Sequence, residues 1–358
     1  QAAGLDRFIG LEHLEPGSLH IREWGNVADG TTFTRRCRPG QVLFGKRRAY
    51  QRKVAVAEFD AVVSGDIYVC APIDERLLPG LLPFICLSER FFKFAVETSA
   101  GSLSPRTNWS HLAQFEFALP PLAQQRRLAT LLWAVDEAEQ TYSKTEFDAR
   151  NLLRAETEAH LDRLFEGSSD KLSNLLSSSP ESGHSMIASA NETGHYVLTL
   201  NAVSANGYVR GKLKPVEPTS EILNCRLAKG DFLISRSNTP ELVGLVGIYD
   251  EDREDVSFPD TMMRLPVNEN RVRKQFLELV LLSKRGRLHM MRSAAGTSGS
   301  MKKINRTTLG QCIIPTPSLA IQEKLLDRFL GLRRLVGQIE IISESLTAIR
   351  SDLTNFIL

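Results

Sequence analysis

Two stretches of the chain carry apolar residues at alternating steps of three and four. Leu128, Leu131, Val135, Ala138, Tyr142, Thr145, Ala149 and Leu152 form the first series. Leu325, Phe329, Leu332, Val336, Ile339, Ile342, Leu346, Ile349, Leu353 and Phe356 form the second, with one stutter near Ile342. This spacing keeps one apolar stripe on a helix and predicts two coiled-coil seams. Pro121 and Pro317-Ser318 supply the helix starts. Helices of about 40 residues are roughly 60 Å long at 1.5 Å per residue, too long for a small neighbouring domain to cover. They are expected to bury their seams on each other or on partners. Chain connectivity predicts an antiparallel pair: the first helix leaves one domain for the next, and the second has only the first domain to return to.

The stretches before each helix read as short strands between turns. Val54-Ala55-Val56-Ala57, Ala61-Val62-Val63, Asp66-Ile67-Tyr68-Val69-Cys70 and Val243-Gly244-Leu245-Val246-Gly247-Ile248-Tyr249 are bounded by Gly, Pro and Asp. The predicted fold class is α+β: two tandem domains of mixed α/β structure separated by two long antiparallel coiled-coil helices. The expected boundaries are a domain at 1–119, a central helix at 120–166, a second domain at 167–316 and a C-terminal helix at 317–358. A serine-rich connection over 167–190 belongs to the second domain and its approach.

The two halves also repeat each other. Arg38-Pro39-Gly40-Gln41-Val42-Leu43-Phe44-Gly45-Lys46 aligns with Ala228-Lys229-Gly230-Asp231-Phe232-Leu233-Ile234-Ser235-Arg236: glycine, polar, three apolar, small, basic. Ser99-Ala100-Gly101-Ser102 aligns with Ala294-Ala295-Gly296-Thr297, followed by Arg106 and Asn108 in one copy and Lys303 and Asn305 in the other. Leu119-Pro120-Pro121-Leu122-Ala123-Gln124-Gln125-Arg126 aligns with Thr316-Pro317-Ser318-Leu319-Ala320-Ile321-Gln322-Glu323. Three matches in one order imply an internal pseudo-two-fold duplication. The Pro-Pro-Leu-Ala-Gln-Gln segment is read as a helix start.

Composition narrows the class. The chain has 358 residues, 42% of them hydrophobic and 24% charged, enough for two domain cores and inconsistent with wholesale disorder. No stretch approaches the roughly 18 uninterrupted apolar residues of a membrane span, so no membrane partner is expected. Five scattered cysteines, Cys37, Cys70, Cys86, Cys225 and Cys312, argue against a disulfide frame or structural zinc and for a cytoplasmic setting. The opening Gln1-Ala2-Ala3-Gly4 has no initiating Met, and sequence upstream of it is expected.

A net charge of +2 conceals segregation. Eight basic residues and no acid lie between 35 and 53, and a second acid-free stretch runs from 284 to 306. Such a run is usually a solvated face. Concentrated like charge is nonetheless relieved by phosphates, which release counterions. The loop Lys46, Arg47, Arg48, Tyr50, Gln51, Arg52 and Lys53 is therefore a candidate nucleic-acid contact, with Arg106 and Asn108 beside it in the repeat. Arg236, Ser237 and Asn238, and the loop Thr297, Ser298, Ser300, Lys302, Lys303 and Asn305, hold the corresponding positions in the second half. Trp24, Trp109 and Trp133 read as core or helix-packing residues.

Signatures of catalysis do not occur. There is no Gly-x-x-x-x-Gly-Lys-Ser/Thr phosphate loop, no Gly-x-Gly-x-x-Gly, no His-Glu-x-x-His and no Gly-x-Ser-x-Gly, and no lysine has an acid two residues before it. Seven histidines are scattered without metal-ligand spacing, so no catalytic residue, metal site or cofactor is expected in this chain.

At these residues the chain resembles the specificity subunits of type I restriction-modification systems. The resemblance rests on Phe8-Ile9-Gly10-Leu11-Glu12-His13-Leu14-Glu15-Pro16-Gly17, Gly40 to Tyr50, Leu119 to Arg126, Gly230 to Asn238, and Pro315-Thr316-Pro317 with Gln322. Ala61 stands where such proteins often have Gly, and Ser318 where a second Pro is usual. The resemblance implies a non-catalytic reader of double-stranded DNA with two target-recognition domains, each reading half of an asymmetric bipartite site. It implies two methyltransferase (modification) subunits as partners, and restriction (motor-nuclease) subunits. S-adenosylmethionine, ATP and Mg would belong to those partners. The alternative is a coiled-coil scaffold that joins proteins without touching DNA.

Overall fold

The computed structural model describes residues 4–296 and 301–357. The chain divides into two compact units, one of Gln1–Glu146 with Gln338–Leu358, the other of Phe147–Gly337. Each long helix thus contributes one segment to each unit.

Unit 1 begins with seven strands: β1 (Arg7–Ile9), β2 (Gly25–Asn26), β3 (Arg35–Cys37), β4 (Val42–Gly45), β5 (Val54–Val56), β6 (Ala61–Val63) and β7 (Ile67–Cys70). Helices α1 (Leu82–Leu87) and α2 (Glu89–Glu97), strands β8 (Ser99–Ala100) and β9 (Arg106–Thr107), and helix α3 (Trp109–Leu112) follow, and then α4 (Leu122–Phe165) starts. Unit 2 holds β10 (Ser169–Lys171), β11 (Glu181–Ser182), β12 (Tyr196–Leu198), β13 (Val203–Ser204), β14 (Gly207–Tyr208), β15 (Leu213–Pro215), α5 (Ser220–Leu223), β16 (Phe232–Ser235), β17 (Ser237–Asn238), β18 (Val246–Ile248), β19 (Val256–Ser257) and β20 (Met262–Leu265). Then come α6 (Lys274–Leu282), α7 (Lys284–Ser293), β21 (Lys302–Lys303), α8 (Arg306–Gly310), β22 (Ile313–Pro315) and the start of α9 (Leu319–Phe356).

The repeat in sequence is a repeat in topology. β4 lies between β5 and β7, antiparallel to both, and β16 lies in the same way between β18 and β20. β1 pairs in parallel with β6, and β12 in parallel with β19. The three-residue apolar run is explained by alternation along a strand. Val42 and Phe44 enter the core formed with α1, α2 and α4, while Leu43 enters a second core with Ile9 and Val63. Phe232 and Ile234 likewise join the helical core of unit 2, and Leu233 the core on the opposite face. Both faces are covered, so every position of the run is apolar. The glycine before it takes a left-handed turn in each copy, with φ of 84° at Gly40 and 92° at Gly230, which explains why glycine recurs there.

The helices form where periodicity places them, but the seams differ in detail. In α4 the buried line in unit 1 is Gln125, Ala129, Leu132, Val135, Asp136 and Glu139, so the expected Val135 lies on it while the expected Leu131 is exposed. In unit 2 Leu152 of the expected series is exposed, and Leu153 packs on the core instead. In α9 Leu325, Phe329, Leu332, Val336 and Ile339 lie on the seam as expected. The expected stutter is absent: the heptad continues through Ser343, Leu346, Arg350, Leu353 and Ile357, leaving Ile342, Ile349 and Phe356 exposed. Arg350 occupies an apolar-type position because Asp136 and Glu139 are buried opposite it, at 3.1 and 2.9 Å. With Thr347 donating to Glu139 and Ser143 facing Ser343, the two helix segments of unit 1 run antiparallel.

Candidate nucleic-acid interface

In unit 1 the end of β4 and the strand β9 converge. The Thr107 amide donates to the Lys46 carbonyl at 2.8 Å, and Arg47 and Arg106 sit opposite each other in an antiparallel bridge. Sequence positions some 60 residues apart therefore present Lys46, Arg47, Arg48 and Arg106 side by side. Asp66 lies between the arginines, 3.4 Å from Arg47 and 3.3 Å from Arg106. Ser104 Oγ accepts from Arg47 Nε and Arg48 Nε at 3.3 and 3.0 Å. Lys46 Nζ stands 5.0 Å from the centre of the Tyr68 ring, whose hydroxyl donates to the Thr107 carbonyl. Burial holds the Lys46 ammonium below its usual pKa, and Arg35 and Arg106 push the same way against the opposing charge of Asp66. The surface is locally electropositive, as phosphate binding requires.

Arg48 has φ of 55°, an unusual left-handed conformation for a side chain of its size, held by its amide donating to the Pro105 carbonyl at 2.7 Å. The turn that follows parts from the cluster. Tyr50, Gln51 and Arg52 line a cleft of about 470 Å³ with Thr347, Arg350 and Thr354 of α9. Arg52 pairs with Glu89, and Lys53 Nζ donates to the Leu11 carbonyl at 2.8 Å. The acid-free run is thus partly compensated through space, since Asp60 also meets Arg36 at 2.8 Å.

Unit 2 repeats the arrangement with different chemistry. The Ile304 amide donates to the Arg236 carbonyl at 2.9 Å, and β17 pairs with β21, Ser237 opposite Lys303 and Asn238 opposite Lys302. Of the expected contacts, Arg236 is half-buried and Lys303 exposed. Ser237 and Asn238 are buried, because β17 is covered on pairing with β21; Asn238 Nδ2 donates to Ser235 at 3.2 Å. Lys302 Nζ donates to the Gly296 carbonyl at 2.8 Å. Asn305 caps α8 by accepting from the Thr308 amide, whereas Asn108, at the same place before α3, is exposed and caps nothing. Thr297, Ser298 and Ser300 lie outside the described residues.

Several residues at the site were not singled out from sequence. Asp66 and Tyr68 lie in an ordinary strand signal, and Ser104 in a loop; pairing of β4 with β7 brings the first two to Lys46, and the bridge between Arg47 and Arg106 brings Ser104. Trp109 is 55% exposed and meets Tyr68 edge-on, and Trp24 is 44% exposed against Phe59 and Arg7, so neither is a core residue. Trp133 does pack on Phe84, with its Nε1 donating to the Gly80 carbonyl. Among the described residues no group of His, Cys, Asp or Glu is arranged to hold a metal ion, and no helix is long and apolar enough to cross a membrane.

The chain is similar to specificity subunits of type I restriction enzymes. It is 27% identical over 168 residues to the type I restriction enzyme EcoDI specificity subunit of Escherichia coli, covering 43% of this chain and 36% of that one. A putative type I restriction enzyme MjaX specificity subunit of Methanocaldococcus jannaschii is 28% identical over 129 residues, 35% of this chain and 30% of the relative. The matches thus span about a third of those relatives. No family model matches the chain. A chain from a structure of complex assembly and conformational transition in the type I R-M system shares the fold with a TM-score of 0.61 at 16% identity, over 98% of this chain and 89% of its own. The S subunit of a type I restriction-modification system from M. genitalium gives 0.57 at 14% identity, over 100% and 90%.

Proposed function

We propose that the chain is a DNA sequence-specificity subunit of a type I restriction-modification system, non-catalytic itself, and that each unit reads one half of a bipartite duplex site. The observation that carries this is the repeated basic strand-end: Lys46–Arg47 against Arg106 in unit 1 and Arg236 with Lys303 in unit 2, at matching backbone positions. Basic side chains in a duplicated frame suit two separate contacts with one polyanion. The spacer between half-sites would be set by the helices that run from each unit.

Partners would dock on the helices. Leu131, Phe147 and Leu152 of α4 and Leu335, Ile341 and Ile349 of α9 are exposed apolar side chains, a chemistry that isolated soluble helices rarely retain. Two methyltransferase subunits would take these faces and carry S-adenosylmethionine; restriction subunits with ATP and Mg would join them in the cytoplasm. The test is selection of random-sequence duplexes by the full chain, with affinity then measured against salt. A bipartite consensus and steep loss of affinity with salt are expected. Weak binding indifferent to sequence and salt would leave a protein scaffold in its place.

A further inference from the structure

Equivalent positions of the two strand-ends carry different groups. Backbone geometry defines the equivalence: the Lys46 amide donates to the Asp66 carbonyl at 3.0 Å, and the Arg236 amide to the Thr261 carbonyl at 2.8 Å. Arg47 faces Arg106 across the bridge in unit 1, and Ser237 faces Lys303 in unit 2. Unit 1 therefore has two guanidiniums and a carboxylate where unit 2 has a hydroxyl, an ammonium and a threonine.

The carboxylate is placed as a brace. Asp66 Oδ2 takes Arg47 Nη1 and Oδ1 takes Arg106 Nη2, so one acid holds both forks. Its side chain is 23% exposed while those of Arg47 and Arg106 are 40% and 56% exposed, so the acid is the sheltered member of the trio. Ser104 fixes Arg47 Nε as well. Among the described residues this leaves Arg47 Nη2 and Arg106 Nε and Nη1 uncommitted. A guanidinium held in this way loses less freedom when it binds a planar pair of acceptors. In duplex DNA that pair is O6 and N7 of guanine in the major groove.

We infer that Arg47 and Arg106 read guanine in the half-site of unit 1 and that Asp66 is their positioning residue, while unit 2 reads its half-site by other contacts. This inference rests on the reading of the chain as a DNA specificity subunit. It makes an acid favourable to binding on a surface where charge alone makes it unfavourable, and that sign is what the experiment reads.

The full chain and its Asp66→Asn and Arg47→Lys variants are titrated against the duplex selected by the unaltered protein, against that duplex with 7-deazaguanine in one half-site, and against a scrambled duplex. The unaltered protein is expected to lose about 10-fold in affinity on 7-deazaguanine substitution in one half-site only. Both variants are expected to lose that discrimination in the same half-site, Asp66→Asn while binding scrambled duplex as well as or better than before. Retained preference for the selected duplex over one scrambled only in the other half-site shows that each variant is folded. A parallel rise in affinity for selected and scrambled duplexes with Asp66→Asn, or unchanged discrimination, overturns the inference and leaves the proposed function standing. Failure of the unaltered chain to select any duplex overturns both.

Discussion

Gln125 and Gln322 make the same set of hydrogen bonds in their respective units. Gln125 Oε1 accepts from the Leu78 amide at 2.8 Å, and its Nε2 donates to the Arg76 and Pro120 carbonyls at 2.7 Å each. Gln322 Oε1 accepts from the Arg273 amide at 2.9 Å, and its Nε2 donates to the Arg271 and Pro317 carbonyls at 3.3 and 2.9 Å. Both side chains are fully buried. Each ties the first turn of a long helix to the loop preceding the helical layer of its unit.

Replacing either glutamine by leucine should therefore destabilise its unit by about 2–3 kcal/mol, because a buried amide and two carbonyls lose their partner while the side-chain volume is kept. Urea denaturation of each variant, followed by hydrogen exchange in the affected unit, checks this. Equal stability to the parent would show that water replaces the side chain.

Arg350 holds two buried acids, and Asp136 is inaccessible to solvent. Arg350→Met should cost about 3 kcal/mol, since it takes the guanidinium from two buried carboxylates and leaves them only His20 and Thr347. Adding Asp136→Leu and Glu139→Leu should restore most of the loss, because a coiled-coil seam accepts apolar residues at these positions. Thermal melts of the single and triple variants decide it.

Asp136 also makes unit 1 sensitive to pH, through His20. Its Nε2 lies 2.7 Å from Asp136 and its Nδ1 3.2 Å from Glu58. Burial lowers its pKa, but hydrogen bonds and charge from Asp136 and Glu58 outweigh it, and the net shift is upward from 6.5. A raised folded pKa gives stability that is fully present below 6.5 and lost as pH rises through the folded value. Melting temperature should accordingly fall as pH rises from about 6 into the weakly alkaline range, and His20→Gln should flatten that dependence.

Lys46 and Arg48 are the cations of the unit 1 cluster without a carboxylate partner among the described residues. The pair Lys46→Ala, Arg48→Ala should weaken binding to the selected duplex and to a duplex altered only in the unit 2 half-site alike. It should also make the salt dependence shallower by about two phosphate contacts. Unchanged affinity would remove this strand-end from the interface.

How far the sequence reached can be judged residue by residue. The duplication was legible because the Gly-polar-apolar-apolar-apolar signature of Gly40 to Phe44 recurs at Gly230 to Ile234, and both are central strands covered on two faces. The second half of α9 was misread because apolar content was taken as burial: Ile342 and Ile349 are exposed, and the seam runs through Ser343 and Arg350. A buried arginine leaves no trace in hydrophobic periodicity when its partners lie on another helix. Asp66 reads in the sequence only as the start of a strand for the same reason, its two arginines being neighbours only across strands.

The order of elements, the two long helices, the repeat and the concentration of basic charge followed from the sequence alone, because periodicity, turn residues and local charge are properties of neighbours along the chain. Which helix face is buried, which cations keep an acid and which buried polar groups fasten helix to domain were decided only in the tertiary structure. Those outcomes depend on desolvation and on partners distant in sequence, and a one-residue shift around a helix or a single cross-strand pairing is enough to change them.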